Sequence, residues 1–355
     1  MSKAPIRLLI AASGTGGHLF PAVAVAEQLR DYKIEWLGVP DRLETTLVPK
    51  QYPLHTIAVT GFQKRLGLGS LAIFQKLTFS VLEVRRLLKT RQFDAVFTTG
   101  GYIAGPTIMA ARLAGVPVIL HESNAIPGKV TRLFGPLCDR VALGFADAAS
   151  FLGRSRTVWV STPVRENFHT HQELDLPIPK SIPVIVVVGG SQGAVALNQM
   201  VRQCAPIWFK TGAMVVHLTG KQDPDADSLQ HPQYIALPFY NNMAALLQRA
   251  DLAISRAGAG TLTELAVTKT PAILVPYPYA AEDHQAYNAK VFAKAEAAYV
   301  YDQASLTPQK LADRVLSLLE SPEKLAEMGK KAETLAVKDS AEKLADLLRS
   351  VIKRD

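Results

Sequence analysis

Near the start of the chain a histidine follows a run of glycines, Ser13-Gly14-Thr15-Gly16-Gly17-His18. Imidazole titrates near neutral pH, so His18 is a candidate general base for taking a proton from a hydroxyl. Glycines let the backbone bend sharply and approach a ligand, and the N–H groups of a following helix favour phosphate or another anion. A second polar cluster, His121-Glu122-Ser123-Asn124, closes an apolar run. Glu122 is the reserve base, and His121 with Glu122 reads equally well as an internal hydrogen-bonded pair. Two further glycine loops follow, at residues 189–193 and 258–260, the second leading into Thr261 and Glu264. Farther on, Asp283, Gln285 and Asn288 cluster within a few residues. Carboxylates near helix starts also serve as plain caps, which is the competing reading of Glu264 and Asp283.

Such side chains need a frame. Short apolar runs at residues 8–12, 34–39, 54–59, 93–98 and 116–121 read as strands, and helical spacing between them argues for a parallel sheet wrapped by helices. The helix after the first loop is read as opening at Pro21. The pattern restarts at 183–188 and continues with strands at 214–218, 234–237, 251–255 and 272–275, with a helix from Leu262. The proline-rich polar stretch 161–183 reads as the join, with Arg165 near its start. The expected fold class is α/β: two Rossmann-like, doubly wound parallel-sheet domains. The expected division is 1–163, 164–340, and a C-terminal helix, 341–355, that packs back on the first domain. A nicotinamide fingerprint fits poorly, because Leu19 stands at its third glycine position.

Bulk properties narrow the classes. The chain has 355 residues, 48% hydrophobic, enough for two cores. Its formal net charge of +8 suits an acidic small substrate or an anionic membrane. Neither zinc-finger spacing nor an aromatic RNA-binding signature occurs, so nucleic acid ranks last. Cys138 and Cys204 form no disulfide framework and no metal spacing, which suits a reducing cytosol. Within 61–91, apolar Leu66, Leu68, Leu71, Ile73 and Phe74 are surrounded by Lys64, Arg65, Lys76, Arg85, Arg86, Lys89 and Arg91. That mixture suits either a core helix with a basic face or a surface resting on anionic lipid.

Taken in order, GTGGH at 14–18, GGYIAGP at 100–106, HESN at 121–124, GGSQG at 189–193, RAGAGTLTE at 256–264 and DHQAYN at 283–288 form a set. The set resembles the MurG family of peptidoglycan N-acetylglucosaminyltransferases over residues 6 to about 300. The resemblance implies a GT-B fold, with two Rossmann-like domains facing across a cleft. It implies an inverting transfer of N-acetylglucosamine from UDP-N-acetylglucosamine to lipid I at the cytoplasmic face of the bacterial inner membrane. It further implies a peripheral protein with no metal, no cofactor and no nucleic acid, working beside other cell-wall synthesis proteins. By motif position, Thr15, Gly16, Gly17, Asn124, Arg165, Ser191, Glu264 and Gln285 would contact the donor, and Tyr240 would lie by the uracil. The sequence departs from the family at Ser161-Thr162, where relatives carry Gly-Asn, and at Ala257, where relatives often carry serine.

The residues suit that chemistry on their own terms. A leaving diphosphate needs its charge offset, which main-chain N–H groups can do without a metal. Ser191 and Ala259-Gly260-Thr261 are assigned to the diphosphate, Glu264 to the ribose hydroxyls, and Asn124 and Gln285 to the sugar. Asn288 joins the same donor set. The rivals are a lipid glycosyltransferase acting on diacylglycerol, a UDP-sugar 2-epimerase, and a non-catalytic nucleotide-sugar binder.

Overall fold

The computed structural model describes residues 4–59, 70–190 and 193–352. The chain forms two compact units, residues 1–165 with 339–355, and residues 166–338.

In the first unit the strands are β1 (Arg7–Ala11), β2 (Lys33–Gly38), β3 (Leu54–Thr56), β4 (Ala95–Thr98), β5 (Val118–Glu122), β6 (Arg140–Leu143) and β7 (Thr157–Trp159). Its helices begin with α1 (Gly16–Glu27), α2 (Glu44–Leu47), α3 (Ser70–Arg91), α4 (Ala104–Ala114) and α5 (Lys129–Phe134). The strands lie parallel in the order β3-β2-β1-β4-β5-β6-β7. Leu8, Leu9, Ile10 and Ala11 are fully buried, so β1 is apolar on both faces because helices cover both. The order reverses between β1 and β4, and such reversals open the crevice where doubly wound sheets take ligands.

The second unit repeats the plan with β8 (Val184–Val188), β9 (Met214–Leu218), β10 (Tyr234–Leu237), β11 (Leu252–Ser255), β12 (Ala272–Leu274) and β13 (Ala298–Val300). Its helices are α6 (Val195–Phe209), α7 (Met243–Arg249), α8 (Ala259–Val267), α9 (His284–Lys294), α10 (Pro308–Leu319) and α11 (Pro322–Glu333). The parallel order is β10-β9-β8-β11-β12-β13, reversing between β8 and β11. Both reversals are therefore flanked by glycine-loop exits: β1 and β4 in one unit, β8 and β11 in the other.

The last helix, α12 (Ser340–Val351), belongs to the first unit. Leu344, Ala345 and Leu348 join the core formed by Leu19, Val25, Trp36 and Phe97. Arg349 Nη2 donates to the carbonyl of Gln28 at 3.1 Å, just past the end of α1.

Two helices begin earlier than the sequence pattern implies. α1 starts at Gly16, so Pro21 sits in its second turn rather than opening it. α8 starts at Ala259, not Leu262. First-turn N–H groups have no partner one turn back, so glycine and alanine there still look like loop in a sequence.

Candidate functional site

The first loop is built from three neighbouring strand exits. Beyond β1, Gly14 turns the chain with φ +105° and Thr15 stands at the N-cap of α1. Gly16 and Gly17 are the first two helical residues, and His18 is the third. The His18 ring points across to the exit of β4, where Nδ1 lies 2.6 Å from the carbonyl oxygen of Thr99. A carbonyl only accepts, so Nδ1 carries a proton, and in the neutral form of the ring the lone pair lies on Nε2. Gly100 and Gly101, at φ +90° and +75°, wrap this ring; a Cβ on Gly101 would sit 3.7 Å from Nε2.

The exit of β5 is arranged differently from the internal pair considered above. His121 and Glu122 alternate across the strand and take separate partners. His121 is wholly buried; Nε2 donates to the Ser161 carbonyl at 3.0 Å, and Nδ1 faces Ser123 Oγ at 3.3 Å. Burial away from water drives its pKa down to about 4. The Glu122 carboxylate accepts four hydrogen bonds: Asn124 N–H at 3.0 Å, Asn124 Nδ2 at 3.1 Å, Gly128 N–H at 3.0 Å and Thr131 Oγ1 at 2.6 Å. This binds Glu122 into the turn 124–131 and sets the amide of half-buried Asn124. Arg165 closes the unit, its guanidinium stacked 4.4 Å from the centre of the Phe20 ring. Ser161, four residues earlier, holds φ +66° although it is not glycine.

In the second unit the loop after β8 ends at Gly193, where any Cβ would lie 2.3 Å from the Thr219 carbonyl. Only glycine fits that approach, which brings the exits of β8 and β9 together. Behind it, buried Asn198 donates to Thr219 O at 2.8 Å and to Asp223 at 2.7 Å, and Arg202 pairs with Asp223 at 2.7 Å. Ser191 lies outside the described residues.

The loop after β11 is held from behind. Asn288, fully buried, donates to the Ala257 carbonyl at 3.1 Å. Gln285 Oε1 accepts the N–H groups of Ala257 at 3.2 Å and Tyr277 at 2.9 Å. Buried Arg256 donates to the Val275 carbonyl at 2.9 Å and to Gln303 at 2.6 Å. The bond from Leu262 N–H to the Gly258 carbonyl opens the helix, so the N–H groups of Ala259, Gly260 and Thr261 precede the helical ladder. Glu264 is half-buried and sixth in the helix, which removes the reading of it as a first-turn cap. Asp283 occupies the N-cap position of α9 in the left-handed region, with no side-chain cap bond. Tyr240 bonds through its hydroxyl to Asp175, and burial, then that bond, raise its pKa to about 12.

The structure thus gathers Thr15, Gly16, Gly17, His18, Glu122, Asn124 and Arg165 in one unit. Ala259, Gly260, Thr261, Glu264, Gln285 and Asn288 lie around the loop after β11 in the other unit, and Tyr240 lies in that unit beside Asp175. Sequence reading missed Thr99, whose role is only its carbonyl, and Glu44, which is isolated in a stretch of no clear period.

Comparisons with known proteins agree with this layout. Residues 8–143 match the N-terminal domain of glycosyltransferase family 28, and residues 184–344 match its C-terminal domain. A protein of Trichormus variabilis named UDP-N-acetylglucosamine–N-acetylmuramyl-(pentapeptide) pyrophosphoryl-undecaprenol N-acetylglucosamine transferase is 67% identical, covering 100% of both chains. A relative of the same name from Gloeothece citriformis is 67% identical over 99% of this chain and 97% of its own. The crystal structure of MurG from Acinetobacter baumannii superposes with a TM-score of 0.78 at 31% identity, covering 98% of this chain and 100% of that one. A putative UDP-N-acetylglucosamine 2-epimerase from Listeria monocytogenes reaches a TM-score of 0.73 at 11% identity, covering 98% and 96%. That likeness is one of fold alone.

Proposed function

The chain belongs to the UDP-N-acetylglucosamine–N-acetylmuramyl-(pentapeptide) pyrophosphoryl-undecaprenol N-acetylglucosamine transferases of glycosyltransferase family 28, and on that premise we propose how its residues divide the work. The protein transfers N-acetylglucosamine from UDP-N-acetylglucosamine to lipid I, giving lipid II. It is an inverting transferase, so one displacement at the anomeric carbon joins the acceptor oxygen and releases UDP.

His18 Nε2 takes the proton of the attacking acceptor hydroxyl. The observation that carries this assignment is the bond from Nδ1 to the Thr99 carbonyl, which puts the lone pair on Nε2 and stabilises the imidazolium formed in the transition state. Glu122 is the weaker base candidate: its four hydrogen bonds favour a role in shaping the 124–131 turn. Asn124 addresses the sugar from that turn.

The donor's diphosphate is met by Ser191 and by the first-turn N–H groups of Ala259, Gly260 and Thr261. Their partial positive charge is in place before the bond to the sugar breaks, so little reorganisation is needed as charge develops. Thr15, Gly16, Gly17 and Arg165 complete the donor contacts. Glu264 accepts the ribose hydroxyls. Gln285 has committed its carbonyl oxygen internally, which leaves its amide N–H groups to donate to the sugar. Asn288 acts through the Ala257 loop. Main-chain groups beside Tyr240 take the uracil.

The protein rests on the anionic cytoplasmic face of the inner membrane. Among the described residues, no helix is long and apolar enough to cross a bilayer. On α3, Phe79 and Leu82 are 70% and 52% exposed, with Lys76, Arg86, Lys89 and Arg91 also at the surface. Apolar side chains amid cations suit an interfacial contact. The remainder of that basic and apolar stretch, residues 60–69 and the side chains of 70–74, lies outside the described residues. Other cell-wall synthesis proteins are the expected protein partners.

The deciding experiment is a transfer assay with labelled UDP-N-acetylglucosamine, offering a lipid I analogue and diacylglycerol in competition. Label on the lipid I analogue alone is the expected result. Label on diacylglycerol, or donor converted with no acceptor present, would overturn the reading.

A further inference from the structure

We propose that Glu44 is a positioning residue for the transfer, holding the first glycine loop in the shape that presents His18. This rests on the assignment of His18 as base. Glu44 opens α2 just past the end of β2, and its side chain is wholly buried. Oε1 accepts the Ser13 hydroxyl at 2.6 Å and the Val39 N–H at 2.7 Å. Oε2 accepts the Gly14 N–H at 3.3 Å. The chain makes room for this carboxylate at Gly38, where a Cβ would lie 2.7 Å from Glu44 Cγ.

One carboxylate therefore ties the exit of β2 to that of β1. The imidazole of His18 in turn ties the exit of β1 to that of β4. The two ties meet on one short segment: Ser13 and Gly14 bond Glu44, and His18, at its far end, bonds Thr99. Ser13 and His18 also flank Gly101, the Ser13 carbonyl lying 3.9 Å and His18 Nε2 3.7 Å from the point where a Cβ on that glycine would stand. A shift of the loop moves Nε2, and misplacing a catalytic group by a fraction of an ångström slows the chemical step more than it weakens binding.

The test is Glu44→Gln in the full-length enzyme. The amide can still accept from Ser13 and Val39, but its NH2 then faces the Gly14 N–H, donor against donor. Turnover should fall roughly tenfold, the effect of one hydrogen bond to a charged acceptor. KM for UDP-N-acetylglucosamine should change little, and the unfolding midpoint should fall modestly with and without His18, because the half-buried Gly14 N–H loses its acceptor. In a His18→Ala background the same substitution should cost no further turnover, because the group it positions is gone. Unchanged turnover, or an equal loss of turnover with and without His18, would overturn the proposal. If Glu44→Gln does not fold, Ser13→Ala removes only the hydroxyl donor. It should reduce turnover in wild type and be silent in His18→Ala; no reduction overturns the proposal. Turnover that survives His18→Ala by itself sinks the base assignment instead, so the two failures can be told apart.

Discussion

His18 Nδ1 stands 2.6 Å from the carbonyl oxygen of Thr99, a bond between the helix that follows β1 and the exit of β4. A main-chain carbonyl neither titrates nor rotates away, so it holds both the tautomer and the direction of the ring. Replacing His18 with alanine should cut turnover by about 10²–10⁴-fold, the usual worth of a general base, while donor affinity stays near wild type. Single-turnover rates beside UDP-N-acetylglucosamine titration check this. Undiminished turnover would remove His18 from the base role.

Glu264 is predicted to read the ribose. Glu264→Ala should weaken UDP-N-acetylglucosamine binding by about 10–100-fold, the range for hydrogen bonds to a charged acceptor. Discrimination between UDP and 2′-deoxy-UDP should shrink with it. Calorimetric titration of both nucleotides gives the answer, and identical affinities before and after the substitution would leave Glu264 a surface helix residue.

Ser161 holds φ +66° with its side chain buried, a backbone conformation that favours glycine. The left-handed region costs a non-glycine residue about 1–2 kcal/mol, partly offset by the entropy glycine loses on folding. Ser161→Gly should therefore stabilise the first unit by about 1 kcal/mol, read as a raised denaturation midpoint. The bond from His121 to the 161 carbonyl is main chain on that side and should survive.

Two buried histidines make stability depend on pH. Burial lowers His121 to about 4 and His217 to about 3, each below the ordinary 6.5. Between about pH 6.5 and 4 the unfolded chain thus binds protons that the folded chain refuses. Stability from this source is complete above pH 6.5 and is lost as pH falls. From pH 7 to 5 each histidine should withdraw about 2 kcal/mol. Denaturant titrations at the two pH values measure the loss, and His121→Gln should flatten the slope for the first unit. A slope unchanged by that substitution would contradict the argument.

The exposed face of α3 should show its preference in vesicle binding. Association should require anionic lipid and weaken with salt. Arg86→Glu with Lys89→Glu should lower it by roughly 1 kcal/mol or more per charge. Equal binding to neutral and anionic vesicles would dismiss the surface.

The sequence alone carried the central strands, because a fully buried parallel strand needs an unbroken apolar run such as residues 184–188; it did not show β6, β7 and β13, which are three or four residues long. It carried the loops too, since a main chain that must turn beside a ligand restricts its residues to glycine. His18, Asn124 and Gln285 stood out because their types sit at strand or helix ends, and Glu264 because it follows a glycine loop closely. What it blurred was where helices begin. Gly16 and Ala259 read as loop because first-turn residues make no bond backward, although those turns supply the N–H groups assigned to phosphate.

Partnership was left to tertiary structure. Nothing local distinguishes Glu122, a carboxylate tied by four hydrogen bonds, from a carboxylate free to take a proton. Nor does anything near Glu44 say that its acceptors are Ser13, Gly14 and Val39, or that a carbonyl 81 residues away orients His18. Sheet order decides these matters. Only when β2, β1 and β4 lie side by side do their exits meet, and hydrogen bonds depend on that meeting in space rather than on spacing along the chain.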